Sequence, residues 1–245
     1  MQIEEARRIL KQYYGYEQFR PLQEQVISAV LQKQDVLVLM PTGGGKSVCY
    51  QVPAMAMPGV CVVVSPLIAL MHDQVEALRE LGIAASYLNS TLTAEAQYEI
   101  ENQCLEGKLK LLYVSPEKLL SSGFLSFLSR LQLNLFAIDE AHCISSWGHD
   151  FRPEYTQLKH IKAHFPDVPV IALTATADKL TQKDIVEQLH LQNPEVFIAS
   201  FDRPNLNLLV KPGRDRIRQI YDFLRKHPQE PGIVYCLSRN GTEQL

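Results

Sequence analysis

Seven stretches of strand length in this chain are almost unbroken apolar runs: "DVLVLM" (35–40), "VCVVVS" (60–65), "AASYLN" (84–89), "KLLYVS" (110–115), "LNLFAID" (133–139), "VPVIALT" (168–174) and "EVFIAS" (195–200). A strand with one wet face alternates apolar and polar residues, whereas a strand covered on both faces does not. Helical spacings lie between the runs. In "SPLIALMHDQVEALRELG", Leu67, Leu70, Met71, Val75, Leu78 and Leu81 recur every three or four residues until Gly82 stops the pattern. "SVCYQVPAMAM" reads as another amphipathic helix. Strand and helix in alternation predict an α/β fold, a doubly wound and mainly parallel sheet with helices on both faces.

The rhythm breaks near residue 200, where "SFDRPNLNLLVKPGRDR" brings prolines, a glycine and clustered charge. Residues 1–200 are therefore expected to form one domain. Residues 201–245 are expected to begin a second, with "LNLLV", a helix over "DRIRQIYDFLRK" and a strand at "GIVYC". A segment of roughly 40 residues falls below the usual domain minimum, so the second unit is expected to be incomplete.

Composition narrows the reading only slightly. With 46% hydrophobic and 21% charged residues the chain is an ordinary globular one. A net charge of -3 gives no overall basic footprint, so a nucleic-acid partner would need a local groove. Cys49, Cys61, Cys104, Cys143 and Cys236 are scattered without metal-ligand spacing. They are expected to be buried reduced thiols, with no zinc site and a cytoplasmic setting. The opening "MQIEEARRIL" does not read as a signal peptide, and no run approaches the roughly 18 apolar residues of a membrane span, so no membrane partner is expected.

The chemistry concentrates in two places. In "MPTGGGKSVCYQ" (40–51) a strand feeds a glycine-rich turn that opens a helix. Such a turn aims backbone N–H groups at one point beside a positive helix end. From Thr42 onward, Gly43, Gly44 and Gly45 leave that backbone bare, Lys46 can reach the β and γ phosphates, and the Ser47 hydroxyl can ligate Mg2+. Met40 stands where the general phosphate-loop pattern has its first glycine. In "LNLFAIDEAH", Asp139 and Glu140 follow a strand directly. One carboxylate there can hold Mg2+ while the other orients or deprotonates the attacking water.

Together "DEAH", "MPTGGGKS", "SPLIALMHDQV", "YVSPEKL" and "LTATA" resemble the first RecA-like lobe of superfamily 2 helicases, whose phosphate loop commonly lacks the leading glycine. Two further stretches narrow the resemblance to the RecQ DNA helicase family. "LKQYYGYEQFRPLQ" (10–23) is similar to that family's N-terminal adenine motif. By this resemblance Gln23 reads the adenine edge, Arg20 fixes the nucleotide and Tyr16 stacks on the base; read alone, the stretch is equally an aromatic helix end packed on the lobe. "CISSWGHDFRPEY" (143–155) resembles the family's aromatic-rich loop, which assigns Trp147, His149, Phe151 and Arg152 to DNA binding and coupling.

Thr174 and Thr176 of "LTATA" are couplers by the same resemblance, or plain helix caps. Ser65 and Ser115 are expected at helix N-termini, either meeting DNA phosphates or capping. The resemblance implies an ATP-dependent DNA helicase with ATP and Mg2+ as cofactors. Its partners would be single-stranded and partly duplex DNA, its movement 3′ to 5′, and its setting repair or recombination at the bacterial nucleoid. By itself the 245-residue chain is expected to bind nucleotide weakly and not to unwind, because the family takes an arginine from its second lobe. An RNA-remodelling ATPase and a nucleotide switch without motor activity are the rival readings.

Overall fold

A computed structural model describes residues 2–121, 123–147, 150–200 and 206–243. His149, assigned above to the aromatic-rich loop, and its neighbour Gly148 lie outside the described residues. The chain divides into two compact units, Met1–Phe201 and Asp202–Leu245.

In the first unit, α1 (Gln2–Ile9) runs into a π-helical turn (Leu10–Tyr14) that Gly15 closes in the left-handed conformation. Next come α2 (Gln23–Leu31), β1 (Val36–Leu39), α3 (Val48–Ala56), β2 (Val60–Val64), α4 (Ile68–Glu80) and β3 (Ala85–Leu88). The middle of the unit holds α5 (Ala94–Leu105), β4 (Leu111–Val114) and the short α6 (Pro116–Leu119) and α7 (Phe124–Leu128). β5 (Leu133–Ile138), α8 (Lys159–His164), β6 (Val170–Thr174), α9 (Lys179–Gln188) and β7 (Glu195–Ile198) complete it.

All seven predicted strands form, in one sheet of order β3-β4-β2-β5-β6-β1-β7. Every pairing is parallel. Apolar runs result because both faces are covered: Val36 and Val38 of β1 enter one core, and Leu37 and Leu39 enter the other. β7 is the exception. As an edge strand it leaves Val196 and Ile198 half exposed despite their apolar character.

Two helical expectations need correction. Rather than being amphipathic, α3 is buried almost all round, from Cys49 to Ala54, because it lies between α1, α2 and the sheet. In α4 only Met71, Val75 and Leu78 are buried. Leu67 precedes the helix and Leu81 follows it, both exposed, so the periodicity overran each end.

An ion pair that the sequence did not suggest ties down the sheet edge opposite the strands' C-termini. Lys162 Nζ, on α8, lies 3.1 Å from Asp35 Oδ1 and donates also to the carbonyls of Pro166 and Val168, each at 3.2 Å. Asp35 accepts from the backbone N–H of Val170 at 2.9 Å and of Gln192 at 2.7 Å. Both side chains are buried, and all three ammonium donors are used.

In the second unit, α10 (Arg216–Lys226) forms where expected and α11 (Arg239–Glu243) lies near its end. The anticipated strands "LNLLV" and "GIVYC" do not form. A strand needs a neighbour for its ladder bonds, and no sheet exists among the described residues of this unit. Leu208, Val210, Ile233 and Tyr235 are accordingly exposed.

Candidate nucleotide site and its adjoining loop

The sheet order sets the site. β6 lies between β5 and β1, so the segments leaving these three strands emerge side by side at their C-terminal edge. They carry Asp139 and Glu140, Thr174, and the loop from Met40 to Ser47. The Met40 N–H donates to the Thr174 carbonyl at 3.1 Å, and that of Asp139 to Val64 at 2.9 Å.

Above this edge opens a cavity of about 650 Å³, within the range of small-molecule sites. Thr42, Gly43, Gly45, Lys46, Ser47, Asp139 and Glu140 line one side. Tyr16, Arg20 and Gln23 line another, so the structure brings the predicted phosphate loop, acidic pair and N-terminal motif together. The motif packs on the lobe at some positions and stands clear of it at another. Leu10 is buried and Tyr14 and Phe19 pack on the core, while Tyr16 stands more than half exposed.

Lys46 of the loop, and Arg20 and Gln23 of the N-terminal motif, are each held by loop carbonyls. Lys46 Nζ donates to Met40 at 3.1 Å, Arg20 Nη1 to Gly43 at 2.6 Å, and Gln23 Nε2 to Gly45 at 3.0 Å. Gln23 Oε1 takes the Arg20 N–H at 2.8 Å, so both ends of the predicted adenine-reading amide are engaged within the chain. The glycines have distinct duties. Gly45 sits at φ +82, and a Cβ there would come within 2.4 Å of Gln23 Nε2; at Gly44 it would press on the Pro41 carbonyl at 2.9 Å.

Burial, and then the neighbouring Glu140 charge, push the Asp139 carboxyl up to about 6. Two adjacent carboxylates and the Ser47 hydroxyl, all lining the cavity, offer hard oxygen donors. These residues fit a Mg2+ ion. Glu140 has left-handed backbone, φ 47 and ψ 45, a sparsely populated conformation for a residue with a side chain. Its N–H donates to Asp139 Oδ1 at 3.0 Å, and its Oε2 lies 3.3 Å from His142 Nδ1. His142 Nδ1 is also 2.9 Å from Thr174 Oγ1, which donates to the Thr176 carbonyl at 3.1 Å. Neither threonine caps α9; Asp178 does, accepting from the Thr181 N–H at 2.8 Å.

The aromatic-rich segment starts directly behind the acidic pair. Trp147 is 73% exposed and Phe151 is exposed too, unusual for large rings that contribute nothing to either core. Arg152 is less free than expected: its Nη1 donates to the Pro66 carbonyl at 2.9 Å. Sequence reasoning missed the loop's anchors. Ser145 Oγ donates to Asp184 Oδ2 at 2.7 Å, and the buried Tyr155 hydroxyl donates to the Asp139 carbonyl at 3.0 Å. Also missed was a juxtaposition of His142, Cys143 and Asp150, whose potential ligand atoms lie within 4.8 Å of one another. Cysteine spacing alone could not have found it. Ser115 caps α6 through the Lys118 N–H, whereas Ser65 is buried and α4 begins only after Leu67.

A DEAD/DEAH box helicase profile matches residues 20–185, about two thirds of the chain. The chain belongs to the DEAD/DEAH box helicase family. The ATP-dependent DNA helicase RecQ of Haemophilus influenzae is 51% identical over 237 residues, 97% of this chain and 38% of that protein. Its counterpart in Bacillus subtilis is 44% identical over 245 residues, 99% of this chain and 42% of that protein. The chain thus spans about two fifths of these relatives' length. Among solved structures, a hypothetical ATP-dependent RNA helicase from Sulfolobus tokodaii aligns with a TM-score of 0.59 at 22% identity, covering 81% of this chain and 56% of that one. That likeness supports the RecA-like fold and nothing finer.

Proposed function

We propose that this chain is the nucleotide-binding lobe of a RecQ-type ATP-dependent DNA helicase that moves 3′ to 5′ on single-stranded DNA. The observation that carries the reading is the direct bond from the aromatic-rich segment to the acidic pair: Tyr155 donates to the carbonyl of Asp139, which lines the cavity. A ring that stacks on DNA and a carboxylate that serves ATP thereby share one short stretch of backbone.

In this reading Gly43, Gly44 and Gly45 wrap the phosphates and Lys46 leaves the Met40 carbonyl to reach them. Arg20 and Gln23 exchange loop carbonyls for the nucleotide, and Tyr16 covers the base. Ser47 and Asp139 would hold Mg2+, which supplies Lewis-acid stabilisation of phosphate charge when bound. Glu140, oriented by His142, takes the proton of the attacking water. Trp147 and Phe151 receive unstacked bases, and Arg152 ties their movement to the Pro66 turn instead of binding phosphate itself. A cytoplasmic, nucleoid-associated setting and DNA partners follow from the same reading.

Trp147 is the sole tryptophan, so its fluorescence reports on the loop without labelling. Single-stranded DNA is expected to quench it, with affinity falling as salt rises. Trp147→Ala should weaken DNA binding, measured by anisotropy of a labelled oligonucleotide, by about 1–3 kcal/mol. Emission indifferent to DNA would remove the loop from the interface, and stronger quenching by RNA of the same sequence would favour an RNA-remodelling enzyme.

A further inference from the structure

On the Ser47 side of the cavity, partly lining it, is a cluster of side chains that the assignments above do not use. Tyr50 and Gln51 come from α3, Gln74 from α4, Tyr113 from β4 and Tyr14 from the π-helical turn. Gln74 Oε1 faces Gln51 Nε2 at 3.3 Å, the Tyr113 hydroxyl at 3.3 Å and the Tyr50 hydroxyl at 3.4 Å. Gln51 Nε2 reaches Tyr113 as well, at 3.2 Å, and Gln51 Oε1 accepts from the Tyr14 hydroxyl at 2.8 Å. The other end of the Gln74 amide, Nε2, points at Ser47 Oγ from 3.4 Å. Turning the Gln74 amide over would set its NH2 group against that of Gln51, so with the Gln51 carbonyl oxygen held by the Tyr14 hydroxyl it is the Gln74 Nε2 end that meets the serine.

We infer that Gln74 is a positioning residue that aims the Ser47 hydroxyl at the bound cation. A serine hydroxyl has one proton and two lone pairs. With one lone pair taken by the Gln74 N–H, the other is left for the cavity, and the hydroxyl need not search rotamers when the metal arrives. The preset orientation comes from α4, a helix that contributes nothing to the phosphate loop. Tyr14 extends the same chain of bonds to the N-terminal motif, so the base side and the cation side of the cavity share one network of side chains.

This inference rests on the reading of Ser47 as a cation ligand, and the test separates the two. The Mg2+ concentration that half-saturates tightening of a fluorescent, non-hydrolysable ATP analogue is measured by equilibrium titration for wild type, Gln74→Met, Ser47→Ala and the double variant. Circular dichroism melts confirm that each is folded, and Gln74→Asn supplies a milder variant should Gln74→Met fail to fold. Gln74→Met is expected to raise the half-saturating Mg2+ about fivefold, the weight of one hydrogen bond, while Mg2+-free affinity stays within about twofold. On the Ser47→Ala background the same change should add nothing, a coupling that a merely structural role would not give. An equal shift on both backgrounds, or none in wild type, overturns the role of Gln74. A Mg2+ requirement unaltered by Ser47→Ala itself overturns the cation reading and this inference with it.

Discussion

Replacing Glu140 by Gln is expected to lower ATP turnover by roughly 10²–10⁴-fold, the range for loss of a general base, while nucleotide still binds. The variant keeps the volume and one acceptor oxygen beside His142 Nδ1, so the contact at 3.3 Å survives in neutral form. What disappears is a carboxylate able to accept a proton. The backbone supports assigning that role to Glu140 and not to Asp139. Glu140 alone of the pair occupies the left-handed region, at φ 47, a placement that costs on the order of 1–3 kcal/mol unless its surroundings compensate. Single-turnover hydrolysis alongside equilibrium nucleotide binding makes the measurement. Loss of binding together with turnover would make Glu140 a binding residue, and full turnover would remove it from the chemistry.

The second large effect lies at the opposite end of the sheet. Lys162→Met should destabilise the fold by about 3–5 kcal/mol, because it leaves the Asp35 carboxylate buried without its cation. Two backbone N–H groups would still reach Asp35, which places the cost below that of a bare buried charge. Nucleotide affinity per folded molecule should not change, since neither residue lines the cavity. Denaturant unfolding reads the difference. A loss under about 1 kcal/mol would mean that the pair contributes no more than an exposed salt bridge.

These two sites also mark where sequence reasoning succeeds and fails. All seven strands were legible because a sheet buried on both faces writes itself as apolar runs, β1, β2 and β4 being buried at every position. That the glycine-rich loop and the acidic pair would meet was legible because each is a contiguous string at the end of a strand, and both line the one cavity. Lys162 and Asp35 are ordinary residues 127 positions apart, and nothing local signals that they meet. The same holds for Ser47 and Gln74, and for Ser145 and Asp184. Tyr155 sits inside a recognised motif, yet its bond to Asp139 depends on a turn that composition does not encode. Strands expected after residue 205 failed for another reason: apolar residues permit a strand, but only a paired neighbour makes one.

The proposed function rests on the cavity at the ends of β1 and β5 being a Mg2+-dependent ATP site. Calorimetric titration of the chain with a non-hydrolysable ATP analogue, with and without Mg2+ and in parallel with Lys46→Ala, tests it most directly. The account predicts a single saturable site that prefers adenine to guanine nucleotide, tightens with Mg2+ and weakens at least about tenfold, or 1.4 kcal/mol, when Lys46 is removed. Absence of saturable binding, or binding untouched by Lys46→Ala, would contradict it.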